Sequence, residues 1–297
     1  MRLIAPLDSK YAHRPHGMAS EVHSSLHSWS LPISTTLVLI AVAFVYLRGW
    51  YQLRNALPTL LSVWRLIAFV SGVVSVWIAI ASPLGALDHQ LLTAHMAQHL
   101  LLMTVAAPLI LLGSPVIALL HGLPQRFMQR VLGPLLLSPP AHGFGRIVTH
   151  PVFCWLASTA VVIGWHVPAL FELGMQSAGW HKAEHVCFLA AGLLFWWPVV
   201  QPWPSFESWP RWRIPLYLFL ATLPCDALSA FLAFCNRVVY SHYRVSSQFL
   251  DLSPLGDQEC AGALMWVCVT FVYLAPAAGV TIQLLSPQSR ASHVEAV

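Results

Sequence analysis

Charge is scarce in this chain. Only 9% of its 297 residues are charged, against about 25% in ordinary soluble domains. A soluble protein of this length cannot cover its surface with so few. Lysine is nearly missing, with Lys10 and Lys182 alone, so there is no lysine-rich patch to grip a phosphate backbone, and nucleic acid is excluded as a partner. The six cysteines include no Cys-x-x-Cys pair, which argues against a zinc ribbon or a thioredoxin-type centre. The first thirty residues hold no apolar run of the kind a cleavable signal peptide needs, so the first helix is expected to act as the insertion signal. Met1 and Met18 are both possible starts.

What the chain has instead is apolar sequence, 57% of the total, gathered into blocks whose length of about twenty residues matches the hydrocarbon thickness of a bilayer. Seven segments are read: 31–50, 64–83, 90–112, 151–170, 184–200, 214–235 and 261–285. The expected fold is all-α, a polytopic membrane bundle of about seven transmembrane helices. It would comprise a polar periplasmic tail at 1–30, a transmembrane domain at 31–285 and a cytoplasmic tail at 286–297. The third segment runs past Pro108, Gly113 and Pro115 to Leu120, too long for one straight span. A break is expected at its inner end, with Val116 to Leu120 near the surface or packed on the bundle. Positive charge favours the cytoplasmic side. With the N-terminus outside and the C-terminus inside, the inner connections carry Arg48, Arg54, Arg65, Arg126, Arg130, Arg146, Arg211 and Arg213; the outer ones carry Lys182, Arg237 and Arg244. Asp88, Glu172, Glu184, Asp251, Asp257 and Glu259 then make the outer face acidic.

Histidine is the informative residue. His95 and His99 are four apart near the start of the third segment, so a helix puts them on one face, and Met103 continues the stripe. His181 and His185 repeat the spacing at the fifth segment, and His166 ends the fourth. In the chosen orientation all five reach the outer level of the membrane, a convergence that played no part in choosing it. Polar groups in a bilayer are costly and face a bundle interior or a cavity, and neutral imidazole is the commonest ligand for transition metals. The five form a candidate metal site. Imidazole alone suits zinc, copper, iron or nickel, and nearby methionines lean slightly towards copper. Asp226 lies mid-span in the sixth segment with no assigned role, Cys235 and Cys260 flank the long outer loop at disulfide-compatible positions, and His121, His142 and His150 read as ordinary interfacial residues on the inner side. His13, His16, His23 and His27 fall in the polar N-terminal stretch.

Several stretches together resemble the polytopic CtaG family of cytochrome c oxidase assembly factors, which is distinct from the single-span copper chaperone of the same name. They are His95-Met96-Ala97-Gln98-His99 with Leu112-Gly113-Ser114-Pro115, Trp165-His166-Val167-Pro168, His181-Lys182-Ala183-Glu184-His185 with Phe195-Trp196-Trp197-Pro198, and Asp257-Gln258-Glu259-Cys260-Ala261-Gly262 with Met265-Trp266. The likeness spans about residues 30–285 and rests on the order and spacing of individually weak motifs. It implies a non-enzymatic role in a bacterial inner membrane: maturing a haem–copper oxidase, with copper as the metal, His95, His99, His166, His181 and His185 as its ligands, and oxidase subunits as partners. Asp257 and Gln258 carry over as an outer-loop motif of unknown role.

Other readings stay open on the sequence. A b-type haem protein would take one histidine from each of two facing helices, and a copper transporter would use the same histidines with Asp226 on its path. His181-Lys182-Ala183-Glu184-His185 also fits the H-x-x-E-H pattern of some metalloproteases. A retinal protein is excluded because neither lysine lies inside a late helix. The arginine distribution gives the first test: reporter fusions after Arg54 and after Arg146 should read as cytoplasmic and one after Glu172 as periplasmic. The reverse pattern would carry every site histidine to the inner face.

Overall fold

The structure, a computed structural model, describes residues 31–82, 84–202, 209–246 and 252–286. The tail expected at 1–30, and all of 286–297 except Ser286, lie outside them. The described residues are helical throughout, with no strand. The helices are α1 (Ile33–Leu53), α2 (Val63–Ala81), α3 (Leu92–Leu112), α4 (Pro115–Gly122), α5 (Pro139–Val148), α6 (Pro151–His166), α7 (Pro168–Gln176), α8 (Ala178–Val200), α9 (Ile214–Phe234) and α10 (Pro254–Leu285), joined by shorter turns. Six are long and apolar enough to cross a membrane. A seventh span is counted when α5 and α6, bent by 64° at Thr149–His150, are taken together.

The bundle turns apolar side chains outward and keeps a few uncharged and charged polar ones within its packed interior. Phe44, Ile67, Leu156, Val186, Phe219 and Phe271 project outward, as side chains that meet lipid do. His95, Gln98, Glu184, His185, Asp257 and Gln258 are buried. That inversion follows from the solvent, because lipid offers polar groups no partner and they must find one inside. The central core gathers Leu102, Phe188, Phe195, Trp196, Leu218 and Tyr273 from α3, α8, α9 and α10. Helix α3 is the hub, packed against α2, α8 and α10, while α9 lies along α10 and α6 along α8.

Helix α3 follows the sequence reading at its inner end and departs from it at Pro108. The break at Gly113–Ser114 is where it was expected: Ser114 takes a left-handed φ of 51°, and α4 then packs back onto α1, the second of the two expected placements. Pro108 does not break the helix. The turns before it widen into a π-helical stretch, Leu101–Ala106, in which the Ala107 amide donates to the Leu102 carbonyl. Continuing that i→i+5 pattern, the Met103 carbonyl would need the amide of Pro108, which has none. Trp196 of α8 supplies the missing donor, its Nε1 standing 3.0 Å from the Met103 oxygen. The wide turn therefore ties α3 to α8 immediately beyond the histidine pair.

The segment boundaries also differ. Helix α8 starts six residues before the expected 184, α10 starts seven before 261, and the fourth segment stops at His166, with Pro168–Gln176 forming the separate α7. Each early start holds polar residues that lower local hydropathy yet are buried inside the bundle, Glu184 and His185 in α8 and Asp257 and Gln258 in α10. Cys235 and Cys260 are both free thiols.

Helices α1 and α4 touch backbone to backbone. A Cβ on Gly122 would lie 1.8 Å from the Val45 carbonyl oxygen, and one on Gly49 would lie 1.8 Å from that of Ala118. Small residues allow such approaches between membrane helices. Gly122→Val should therefore destabilise the detergent-solubilised protein by about 2 kcal/mol or more. Gly143→Ala, where nothing lies within 4 Å of the added methyl, should be neutral or stabilise by up to about 1 kcal/mol through helix propensity. Thermal unfolding of the two variants side by side checks the contrast.

Candidate metal centre

The site forms where the first turns of α3 and α8 meet. Helix α3 needs an N-cap, and its own Leu91 provides none. The cap comes from α10: the Asp257 carboxylate accepts from the Leu92 amide at 2.6 Å, the Thr93 amide at 3.1 Å and the Thr93 hydroxyl at 2.7 Å. An anion at a helix N-terminus satisfies orphan amides and opposes the helix dipole. Its neighbour Gln258 accepts from the Val239 amide at 2.8 Å and donates to the Leu232 and Arg237 carbonyls, both at 3.1 Å, pinning the loop that follows α9. The motif whose role the sequence left unassigned is thus a bracket that fixes α3 and this loop against α10.

With α3 so fixed, His95 and His99 project side by side towards α8. Their Nε2 atoms are 2.8 Å apart. Glu184 reaches in from α8 and places Oε1 3.4 Å from His95 Nε2 and 3.1 Å from His99 Nε2. All three side chains are at most 5% exposed. The triangle has edges of 2.8, 3.1 and 3.4 Å. Ligands held about 2.0–2.1 Å from a tetrahedral ion stand roughly 3.3 Å from one another, so these donor atoms have the spacing of ligands around a common cation.

Sequence reasoning did not assign Glu184 to the site. It appeared there as an outer-face acid and as part of H-x-x-E-H, and what it lacked was the knowledge that α8 turns this residue, rather than only the flanking histidines, towards α3. The other three predicted histidines surround the triangle without joining it. His185 has its ring centroid 5.6 Å from that of His99 and 4.4 Å from that of His181. His181 stacks on His95 at 5.6 Å, and its Nε2 lies 3.5 Å from Asp88 Oδ2. His166 is separated from His99 by Phe188, which stacks on His99 at 3.9 Å and meets His166 edge-on at 6.3 Å. The His166 Nδ1 is 2.7 Å from the Val162 carbonyl, while its Nε2 has no partner. A cavity of about 30 Å³ lies beside His99 and His166, lined also by Met96, Met103 and Met265.

Aromatic walls and close packing exclude water. Phe171 meets the His95 ring at 5.0 Å and stacks on Tyr240 at 3.9 Å. Gly174 of α7 passes so near that a Cβ there would lie 3.0 Å from Glu184 Oε2. Behind the triangle, Gln98 donates to the Ala79 carbonyl at 2.8 Å and holds α3 against α2. His95 Nδ1, His99 Nδ1, His185 Nε2 and Glu184 Oε2 are buried without hydrogen-bond partners. Orphaned polar atoms in this number are unusual in a packed interior.

Comparison with known proteins bears on the bundle as a whole. The model of the cytochrome c oxidase caa3 assembly factor family (Caa3_CtaG) matches residues 44–286. The chain belongs to this family. The match to Caa3_CtaG takes in every residue of the triangle, its histidine surround and the Asp257 bracket. Uncharacterized proteins of Mycobacterium bovis and Mycobacterium tuberculosis are each 26% identical over 242 residues, covering 76% of this chain and 35% of their own length. One of Mycobacterium leprae is 24% identical over 278 residues, covering 89% and 40%. The chain therefore spans well under half the length of these curated relatives. No solved structure matches it significantly.

The bracket positions α3 within this Caa3_CtaG bundle without adding a donor to the triangle. Asp257→Ala removes the cap and should cost about 1–2 kcal/mol of stability, whereas Asp257→Asn keeps an acceptor oxygen and should cost less. Both leave the triangle's donor atoms in place, so the loss should appear as stability and not as a missing donor. Unfolding midpoints of the two variants measured beside wild type check this.

Proposed function

We propose that this chain is a non-enzymatic assembly factor of a bacterial inner membrane which carries copper as cargo for the catalytic subunit of a haem–copper cytochrome c oxidase. His95, His99 and Glu184 hold the ion, and His185, His181 and His166 stand ready around it. The observation that carries the reading is the buried triangle, whose three donor atoms lie within 3.4 Å of one another on two helices. Two imidazoles and a carboxylate in a dry site offer lone pairs to a cation, and without one the imidazole N–H groups hydrogen-bond within the triangle at the same spacings. Imidazole and carboxylate suit copper in its oxidised state, and the methionine thioethers beside His99 and His166 suit the reduced state. The arginine distribution supports an N-out, C-in bundle, which puts this end of the helices on the periplasmic side. Membership of an oxidase assembly factor family supports an oxidase as the client.

The rival sites fare worse on geometry. Haem ligation from two facing helices needs ring nitrogens aimed at each other across a macrocycle. His95 and His181 instead lie face to face, 11° from parallel, and the cavity beside His99 and His166 is far too small for a porphyrin. A zinc hydrolase shares the two-histidine, one-carboxylate donor set. In the H-E-x-x-H form of that chemistry the residue after the first histidine is the general base, and here it is Met96. Glu184 stands among the donor atoms and is not free to act as base in the H-x-x-E-H sense.

His99→Ala and Glu184→Gln should leave membrane insertion near normal, weaken copper binding by the purified protein at least about tenfold and lower oxidase activity in cells grown on limiting copper. Excess copper should partly restore that activity, since occupancy depends on free metal relative to affinity. His121→Ala, whose side chain is occupied by the Ile117 carbonyl, serves as control. Full oxidase activity in both ligand variants under copper limitation, or wild-type protein that binds no copper in either oxidation state, would overturn the proposal.

A further inference from the structure

A second cluster of donors lies one turn further out. Asp88 opens the turn that follows Leu84–Leu87. Its carboxylate is 3% exposed, and Oδ1 accepts no hydrogen bond. His89 Nε2 stands 3.9 Å from Oδ1 and His181 Nε2 stands 3.5 Å from Oδ2. These gaps are too long for good hydrogen bonds, yet one donor atom from each residue falls within a 4.8 Å sphere of mutual distance. A buried carboxylate with an unpaired oxygen calls for a cation, and His181 Nε2 is likewise buried and without a hydrogen-bond partner. The loop is held from behind by Tyr243, which donates to the Asp88 carbonyl, and by His242, whose Nε2 lies 3.2 Å from the His89 carbonyl. The Asp88 and His89 side chains are left free of those anchors.

The two clusters differ in character. The inner triangle is tight and sealed. The outer one is wider, and its His89 side chain is 51% exposed, so solvent reaches one ligand directly. His181 links them: it approaches Asp88 through Nε2 and stacks on His95.

We propose that Asp88, His89 and His181 form a second metal site, open to solvent, that captures a divalent transition-metal ion and hands it inward to His95, His99 and Glu184. Water leaves the ion as imidazoles replace it, and the ion passes by exchange of ligands one at a time, without change of oxidation state. Two imidazoles and a carboxylate select such an ion over magnesium or calcium, which prefer all-oxygen shells. The outer site rests on the reading of the inner triangle as a metal centre only for the destination of the ion.

The test uses the full-length protein in detergent, stripped of metal and loaded with Cu(II). Wild type should bind a second equivalent that a hydrophilic chelator removes quickly, beside a first that it removes slowly. Asp88→Asn and His89→Ala should lose the fast equivalent, keep the slow one and load it at least about tenfold more slowly; His89 is exposed, so that variant puts little packing at risk. Glu184→Gln should lose the slow equivalent and keep the fast one. If Asp88→Asn and His89→Ala keep both equivalents and the wild-type loading rate, the outer site is wrong. A single slow equivalent in wild type, lost in Glu184→Gln and untouched in Asp88→Asn, also sinks it while leaving the inner centre standing. If Glu184→Gln keeps both equivalents while His89→Ala loses the fast one, the inner reading fails and the outer site survives.

Discussion

Everything at this end of the bundle depends on how a carboxylate is kept in a dry interior. Glu184 is buried between two imidazoles, and an isolated carboxylate in such a place would be ruinously costly. Its stability requires that His95 and His99 stay where they are, which requires that α3 be held at a fixed height, and that is the task of the Asp257 carboxylate on the Leu92 and Thr93 amides. The Trp196 bond to the Met103 carbonyl repeats the constraint one turn below. One buried charge thus dictates the register of α3 against both α8 and α10.

The bundle was legible because bilayer solvation is a blunt rule. Blocks of about twenty apolar residues, few charges and i, i+4 histidine pairs carried the class, the spans and the convergence of five histidines at one end. What misled was the same rule applied at the ends of spans. His181, Lys182 and Glu184 depress hydropathy at the start of α8, and Asp257, Gln258 and Glu259 do so at the start of α10, so both helices appeared shorter than they are. Pro108 looked like a breaker because the compensation lies in Trp196, far away in sequence.

The site was half legible for a related reason. Periodicity within one helix shows which residues share a face, and it paired His95 with His99 correctly. It says nothing about the rotation of one helix against another. Whether α8 offers α3 its histidines or its glutamate is decided by packing, by Phe188 stacked on His99 and Gly174 closing over Glu184. Asp88 and His89 sit on a connecting turn, where no helical period marks them. Asp257, by contrast, stood out only through the family likeness, and its part is positional.

The donors of the triangle come from parts of the chain about ninety residues apart, on spans that enter the bilayer at different times during synthesis. While only α1 to α3 are in place, His95 and His99 lack the oxygen of Glu184 and stand unwalled by Phe171 and Phe188. The pocket therefore comes into being late, after α8 has docked, and the bracket from α10 is later still. A chain arrested or truncated before residue 184 would carry a histidine pair but no carboxylate beside it, so the closed triangle is a mark of a finished bundle.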